Sequence, residues 1–130
     1  MRFLLDIPFN RHLGMRLAER SAERVVLSLA PQDWFIQEGG VIHGGIISSL
    51  ADTAAVYLIY PELPAGRLMT SIEFKVNFLR PARLGQGDLT ATATGVKIGK
   101  QVAVCSVDVH QRETNVATGL FTYLIFTPAA

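Results

Sequence analysis

The chain has 130 residues, of which 49% are apolar and 18% are charged, and its formal net charge is +1. This length predicts one domain over residues 1–130, and a near-neutral charge without basic or acidic runs argues against nucleic acid as a partner. A single cysteine excludes an internal disulfide, and because no run of ~18 apolar residues and no signal-peptide core is present, we expect a cytoplasmic protein without a membrane span.

Two short strands are predicted in the first third of the chain. Residues 1–12 form a lead-in with a helical turn, and a strand follows over residues 15–19. A second strand over residues 25–30 shows the alternation of a half-buried strand and ends at Pro31. Residues 32–42 are predicted to be a loop.

Residues 43–59 are predicted to form one long helix, around which the rest of the chain is organised. The segment opens with a His-Gly-Gly turn and is apolar nearly all round, which is typical of a buried helix. Its polar residues form a narrow stripe at i,i+4 spacing, namely Ser48, Ser49, Asp52 and Thr53. A carboxylate on a buried helix needs a partner or a function, so Asp52 is the first candidate for chemistry.

The second half of the chain is predicted to form four strands, at residues 71–79, 89–98, 102–110 and 120–126. In the first of these the apolar face is Ile72, Phe74, Val76 and Phe78, with Ser71 on the other face. Gly99 lies in a hairpin turn where a positive φ is expected. The whole pattern predicts an α+β fold in which a curved antiparallel sheet wraps round one long central helix.

The start of the long helix is a candidate site for polarising a carbonyl group. First-turn N–H groups have no intrahelical partner and lie at the positive end of the helix dipole. Without side chains, Gly44 and Gly45 would let a substrate oxygen approach these donors; alternatively, the two glycines only permit a tight turn. His43 is a candidate general base, but at a helix start we expect it to shape the loop by hydrogen bonding.

Asp52 is a candidate catalytic carboxylate, but not for a carbonyl held at the start of its own helix. The two points are ~12 Å apart at 1.5 Å per residue. A shared site therefore needs the carboxylate of a second subunit, and a two-fold dimer has two such sites. The high apolar fraction also favours burial of surface against another copy. The alternative is that Asp52 is hydrogen-bonded within the core to Ser48 or Thr53.

Other polar residues give weaker signals. Cys105 lies within an apolar strand and is interpreted as core packing. Metal-ligand spacing and a phosphate-binding glycine loop are absent from the sequence, so no metal or other cofactor is expected. Basic residues near strand ends either bind phosphates or are simply solvated: Arg80, Arg83, Lys97 and Lys100.

Several short motifs are specific in combination, although each is weak alone. They are His43-Gly44-Gly45, Leu50-Ala51-Asp52, Thr70-Ser71, Asn77-Phe78-Leu79-Arg80-Pro81-Ala82 and Gly99-Lys100. Together they resemble the hotdog-fold thioesterases, with the phenylacetyl-CoA (PaaI-like) group the most similar, over residues 13–126. The resemblance implies a hotdog fold, a homodimer that pairs its sheets, a tetramer made of two such dimers, and hydrolysis of an acyl-CoA thioester.

The resemblance also implies roles for individual residues. The Gly44 N–H would polarise the thioester carbonyl, the partner subunit's Asp52 would act as nucleophile or as general base, and Ser71 would help to orient the attacking water. His43 and Gln37 complete the expected catalytic set. The expected substrate-binding residues are Gly45, Tyr57, Thr70, Arg80, Lys97, Gly99 and Lys100.

Gln37 departs from the family pattern, in which an Asn often stands six residues before the His. The longer side chain keeps the amide but is expected to displace water or substrate by about an ångström, and such a misplacement can lower a rate about 100-fold. A lower activity or a different acyl preference is the expected consequence.

Two other functions remain as alternatives. Hotdog hydratases and dehydratases commonly carry a His five residues after the Asp, where this chain has Tyr57, which counts against them. A non-catalytic acyl-CoA-binding module leaves the retained Asp52 without a role. The acyl pocket is expected to suit aromatic and medium aliphatic groups equally, and its expected lining is Leu50, Ala54, Tyr57, Leu58, Phe74 and Phe78.

Overall fold

A computed structural model describes residues 3–129 of the chain, which form three α-helices and six strands. The helices are α1 (Phe3–Asp6), α2 (Pro8–Leu13) and α3 (Gly44–Ile59). The strands are β1 (Arg16–Arg20), β2 (Arg24–Leu29), β3 (Leu68–Phe78), β4 (Leu89–Ile98), β5 (Val102–Gln111) and β6 (Thr114–Phe126). None of the helices in this part of the chain has the length and apolar character needed to cross a bilayer.

The six strands form one antiparallel sheet in the order β1-β2-β4-β5-β6-β3. The connection from β3 to β4 therefore crosses the sheet, and β3 pairs only with β6, at an edge. The sheet packs round α3, which contacts β2, β4, β5 and β6. The predicted α+β architecture, with an antiparallel sheet round one long helix, is confirmed.

The predicted helix is α3, and its composition explains its central position. Half of its residues are buried: Ile47, Leu50, Ala51, Ala54, Ala55, Tyr57, Leu58 and Ile59. Fully burying a Leu or Ile side chain stabilises a fold by about 1.5–3 kcal/mol. Small buried residues on the strands, Ala91, Ala93 and Ala103, leave room for the helix against the sheet.

The start of β6 was predicted too late. The strand begins at Thr114 rather than at residue 120, and Val116 and Ala117 are buried in it. The polar run that suggested a long loop is instead a tight hairpin turn, in which Arg112 has a φ of 54°. β3 likewise begins at Leu68, three residues before the predicted start.

A β-bulge between Ser71 and Glu73 changes the faces of β3. Residues directly opposite each other on neighbouring strands share a face, and Ser71 lies opposite the buried Tyr123. Ser71 therefore shares the helix-side face with Phe74, while Ile72 is in the bulge and 56% exposed. The prediction that Ile72 belongs to the apolar face and Ser71 to the opposite one was wrong, because strict alternation does not anticipate a bulge.

Gly99 was predicted to supply a positive φ to the β4–β5 turn, and this was also wrong, since its φ is not positive. The glycine is needed for a close approach instead. Its N–H donates to Val102 O at 2.9 Å, and a Cβ added at Gly99 would lie 2.8 Å from the same oxygen.

Gly119 allows β3 and β6 to approach each other, and its substitution tests how strongly the edge strand is held. A Cβ at Gly119 would lie 2.5 Å from Lys75 O, whereas one at Gly95 would meet only the flexible Ile98 side chain, at 3.1 Å. We expect Gly119→Ala to lower the free energy of unfolding by about 1–3 kcal/mol, and Gly95→Ala to change it by less than about 1 kcal/mol. Urea unfolding measures both; equal effects of the two variants would contradict this account.

Candidate functional site

A cleft of about 690 Å³ opens at the start of α3. It lies between the loop before the helix, the first helical turns and the end of β3. Five residues predicted for the site line it together: Gln37, His43, Gly44, Gly45 and Arg80. Phe78, at the end of β3, forms part of the same wall.

Main-chain hydrogen bonds hold the loop that carries Gln37 against the helix start. His43 N–H donates to Phe35 O at 2.8 Å, and Ile42 N–H donates to Ala82 O at 2.8 Å. Arg83, the residue after Ala82, is fixed in turn by the buried Gln111, whose amide group bonds its N–H and its carbonyl at 3.0 and 2.7 Å. The loop is therefore anchored at both ends beside the cleft.

His43 caps α3 with its side chain. Its Nδ1 accepts a hydrogen bond from Gly45 N–H at 2.8 Å, so the neutral ring carries its proton on Nε2. Ile46 N–H donates to His43 O at 3.0 Å. Gly44 N–H has no acceptor among residues 3–129. At the positive end of the helix dipole, Gly44 is thus the first-turn donor still available to a ligand oxygen.

The aromatic ring of Phe78 lies close to Gly44. A Cβ added at Gly44 would be 3.0 Å from Phe78 Cζ, which is tighter than ordinary van der Waals contact. A side chain at this position would have to displace the ring. Glycine therefore keeps both the donor and the space in front of it accessible.

Asp52 lies two turns further along the same face of α3. Its carboxylate accepts a hydrogen bond from the Tyr123 hydroxyl, which also lies 3.2 Å from Asp52 O. The predicted partners Ser48 and Thr53 are engaged elsewhere, because their hydroxyls donate to main-chain carbonyls one turn earlier, at 2.9 and 2.8 Å. Asp52 is thus hydrogen-bonded within its own chain, as the alternative predicted, but its partner is Tyr123 and not Ser48 or Thr53.

Tyr123 is the site residue that sequence reasoning missed. Its burial, the charge of Asp52 and the hydrogen bond between them raise the pKa of Tyr123 well above its usual range, so the phenol stays a donor at neutral pH. Because Ser71 lies opposite Tyr123 on the helix-side face, β3 brings a hydroxyl to the same neighbourhood. The only feature of the sequence that could have identified Tyr123 is a tyrosine at an inward position of an apolar strand.

Asp52 and the Gly44 donor are at separate places on the surface of one chain. Asp52 lies in a pocket with Gly45, Ser48, Ser49 and Phe74; Gly45 and Ser48 also line the cleft, whereas Asp52 does not. The eight residue steps from Gly44 to Asp52 span ~12 Å along the helix, and the four residue steps of β3 from Phe74 to Phe78 span ~13 Å. The helix face and the strand thus run side by side, with one functional group at each end.

Two predicted substrate contacts are not supported by the structure. Tyr57 is fully buried, and its burial raises the pKa of the phenol. Thr70 lies opposite the exposed Leu124, so it is on the outer face of the sheet. The expected acyl-pocket residues on α3 were wrong for the same reason as Tyr57, since Leu50, Ala54 and Leu58 are packed in the core.

The β4–β5 hairpin lies away from the cleft of its own chain. Gly99 and Lys100 line a pocket with Ile59, at the end of α3, and Lys97 lies on the neighbouring surface. In a single chain these residues do not join the Gly44 donor. Within residues 3–129 no three His, Cys, Asp or Glu side chains are arranged to hold a metal ion.

Comparisons with known proteins show the family of the chain. The family model described as the thioesterase superfamily matches residues 39–118. The chain is 31% identical over 140 residues to the medium/long-chain acyl-CoA thioesterase YigI of Escherichia coli K12, covering 95% of this chain and 88% of that protein. It is 31% identical to human acyl-coenzyme A thioesterase 13, covering 85% and 76%.

Solved structures share the fold. The PaaI protein of the E. coli phenylacetic acid degradation operon matches with a TM-score of 0.82 at 26% identity, covering 92% of this chain and 84% of that chain. A thioesterase from Haemophilus influenzae matches with a TM-score of 0.88 at 24% identity, covering 97% and 87%.

Cys105 is a buried thiol rather than a nucleophile, and the pH dependence of stability tests this. Burial raises the pKa of Cys105 from 9.0 to about 12. Above pH 9 the folded chain therefore holds a proton that the unfolded chain releases, so this residue stabilises the fold fully below pH 9 and progressively less towards pH 12. We expect the free energy of unfolding of the wild type to fall more steeply than that of Cys105→Ala between pH 9 and 10.5. The two slopes should differ by up to about 1.4 kcal/mol per pH unit. Parallel curves for the two proteins would contradict a buried, protonated thiol.

Proposed function

The chain belongs to the thioesterase superfamily, as its sequence resemblance predicted, and we propose that it hydrolyses acyl-CoA thioesters at sites shared between two copies of the chain. One observation carries the proposal. The free Gly44 N–H and Asp52, whose carboxylate is bonded by Tyr123 of β6, lie about 12 Å apart along α3. The proposed reaction needs both groups at one thioester carbonyl, and a single chain cannot bring them together.

The exposed edge strand β3 is the surface on which we propose that a second copy docks. An edge strand leaves unpaired main-chain groups along one side, and β3 also carries half-exposed Phe74 and Phe78 next to α3. Antiparallel pairing of two β3 strands about a two-fold axis would align the two helices in opposite directions. The partner subunit's Asp52 would then lie opposite the Gly44 end of this chain.

The proposed reaction begins with the thioester carbonyl at the helix start. Its oxygen would accept a hydrogen bond from Gly44 N–H, where the helix dipole stabilises the negative charge that develops during attack. The partner subunit's Asp52 would attack the carbonyl carbon directly or remove a proton from an attacking water. Collapse of the tetrahedral intermediate expels the CoA thiolate. In the nucleophilic route water then hydrolyses the acyl–Asp anhydride, and both routes release the free acid.

The surrounding residues support this assignment. The Tyr123 hydroxyl would hold the Asp52 carboxylate in position, and Ser71 would orient the water beside it. His43 keeps the helix start ordered through its bond to Gly45 N–H. Gln37, which lines the cleft, takes the place of the Asn in the family pattern.

The acyl-CoA substrate class rests on the relatives, among them one that acts on medium- and long-chain acyl-CoA. We propose that Arg80 in the cleft, together with the partner's Lys97 and Lys100, contacts the phosphates of CoA. A cytoplasmic location and a tetramer of two dimers remain predictions. Exposed apolar residues on the outer face of the sheet support a second interface: Val102, Leu120 and Leu124.

Thiol release from a panel of acyl-CoAs tests the reaction. We expect the wild type to hydrolyse at least one member of the panel and Asp52→Ala to lose a factor of about 100 or more in kcat, because oxyanion stabilisation alone leaves little turnover. Asp108→Ala is a matched control, since Asp108 on β5 is, like Asp52, a half-buried carboxylate with a hydroxyl partner, Thr118, at 2.6 Å. Equal losses in the two variants would contradict a catalytic role for Asp52.

Subunit complementation tests the shared site. Asp52→Ala removes the carboxylate, and Gly44→Val blocks the approach to the N–H, so each variant alone is expected to be inactive. In a mixed dimer, the Asp52→Ala chain supplies an intact Gly44 and its partner an intact Asp52, which restores one site of two. Random association on co-expression should therefore recover about a quarter of wild-type activity. If both groups acted within one chain, no activity would return.

A further inference from the structure

A second cavity, of about 290 Å³, adjoins the cleft on the other side of the first turn of α3. We propose that this side pocket holds the acyl group of the substrate and that Phe9 and Trp34, which form its outer wall, determine acyl-chain specificity. The inference rests on the proposed thioesterase function. The side pocket is lined by Phe9, Leu13, Trp34, Phe35, Ile36, His43, Gly45, Ile46 and Ser49.

The side pocket meets the cleft at the point where the thioester carbonyl would lie. Both are lined by His43 and Gly45, which flank the free N–H of Gly44. A carbonyl carbon held there has two substituents, the acyl group and the sulfur of CoA, and these must leave in different directions. The cleft carries Arg80 and Gln37 and suits the polar arm of CoA, which leaves the side pocket for the acyl group.

The lining of the side pocket selects against polar acyl groups. No charged side chain contributes to it within the described part of the chain. Most of the polar groups that do are already engaged, since Ser49 Oγ donates to Gly45 O at 2.7 Å and His43 Nδ1 accepts from Gly45 N–H, which leaves His43 Nε2–H as a donor. Trp34 Nε1 donates to Gln32 Oε1 at 2.9 Å. A carboxylate or hydroxyl held against the aromatic and aliphatic residues of this lining would lose its water without gaining a partner.

Side-chain hydrogen bonds hold the wall of the side pocket in place. The amide of Gln32 accepts from Trp34 and donates to Leu13 O at 2.9 Å, which joins the Trp34 turn to the end of α2. The Trp34 ring also meets Phe35 edge-on, with centroids 4.7 Å apart. A pocket wall that is ordered before binding loses little entropy when the ligand enters.

The volume of the side pocket indicates the size of the acyl group. An apolar cavity of 150 Å³ accommodates benzene, so about 290 Å³ corresponds to an aliphatic chain of about eight carbons or to a phenyl group with a short linker. The interior of the protein offers no competing space beside α3, since Leu50, Ala54 and Leu58 are packed in the core. We therefore infer that the substrate is an acyl-CoA with an unsubstituted apolar acyl group of medium size.

Truncation of the wall tests the inference. Phe9 and Trp34 are 56% and 51% exposed, so Phe9→Ala and Trp34→Ala remove little core packing. Each is expected to lower kcat/KM for octanoyl- and phenylacetyl-CoA about tenfold, and to change kcat/KM for the shortest acyl-CoA that the wild type hydrolyses by less than about twofold. Ile7→Ala is the matched control, because Ile7 directly precedes α2, the helix that carries Phe9, is 42% exposed and does not line the pocket.

The outcomes separate the two proposals. Selective loss of the longer and aromatic substrates in the wall variants, with an unchanged profile in Ile7→Ala, supports the side pocket as the acyl site. Equal loss for short and long substrates, or no change, would overturn the side pocket while the thioesterase function stands. Absence of thiol release from every acyl-CoA by the wild type would overturn the proposed function itself.

Discussion

Burial of α3 inside the sheet is the constraint on which the rest of this structure depends. A helix in this position can keep few polar side chains, and each one must find a partner nearby. The hydroxyls of Ser48, Ser49 and Thr53 donate to carbonyls of the helix itself. The Asp52 carboxylate cannot donate to a helix carbonyl, and it accepts a hydrogen bond from the hydroxyl of Tyr123 on the sheet. A carboxylate kept in this setting by a dedicated partner is fixed in orientation.

The start of α3 is where the same arrangement leaves hydrogen-bonding capacity unused. His43 satisfies the N–H of Gly45 with its side chain and that of Ile46 with its carbonyl. The cap therefore does not cover the whole first turn, and Gly44 N–H is left facing an open cleft next to Phe78. A full set of capping bonds would stabilise the helix further but would remove the donor on which the proposed chemistry depends.

The sequence was sufficient for the architecture and insufficient for its irregularities. Periodicity located α3 and all six strands, because it reports which residues of each element are buried together. It misjudged Ile72 and Ser71 because a bulge shifts the alternation by one residue, and it misplaced the start of β6 because a tight turn can be polar. The Asp52–Tyr123 bond was out of reach, since it joins residues 71 positions apart.

The candidate site was predictable where its residues are close in sequence, as at the helix start, and unpredictable where they come from different strands. The aromatic residues of β3 illustrate the difference. Their alternation predicts a buried face, yet Phe74 and Phe78 remain about half exposed in a single chain. A sequence is selected for burial in the functional assembly rather than in the isolated chain. Residues whose alternation predicts burial, but which are exposed on an edge strand, therefore support burial of that edge against a partner. Because this edge runs alongside both the Gly44 donor and Asp52, the second copy that we propose to cover it would also complete the site.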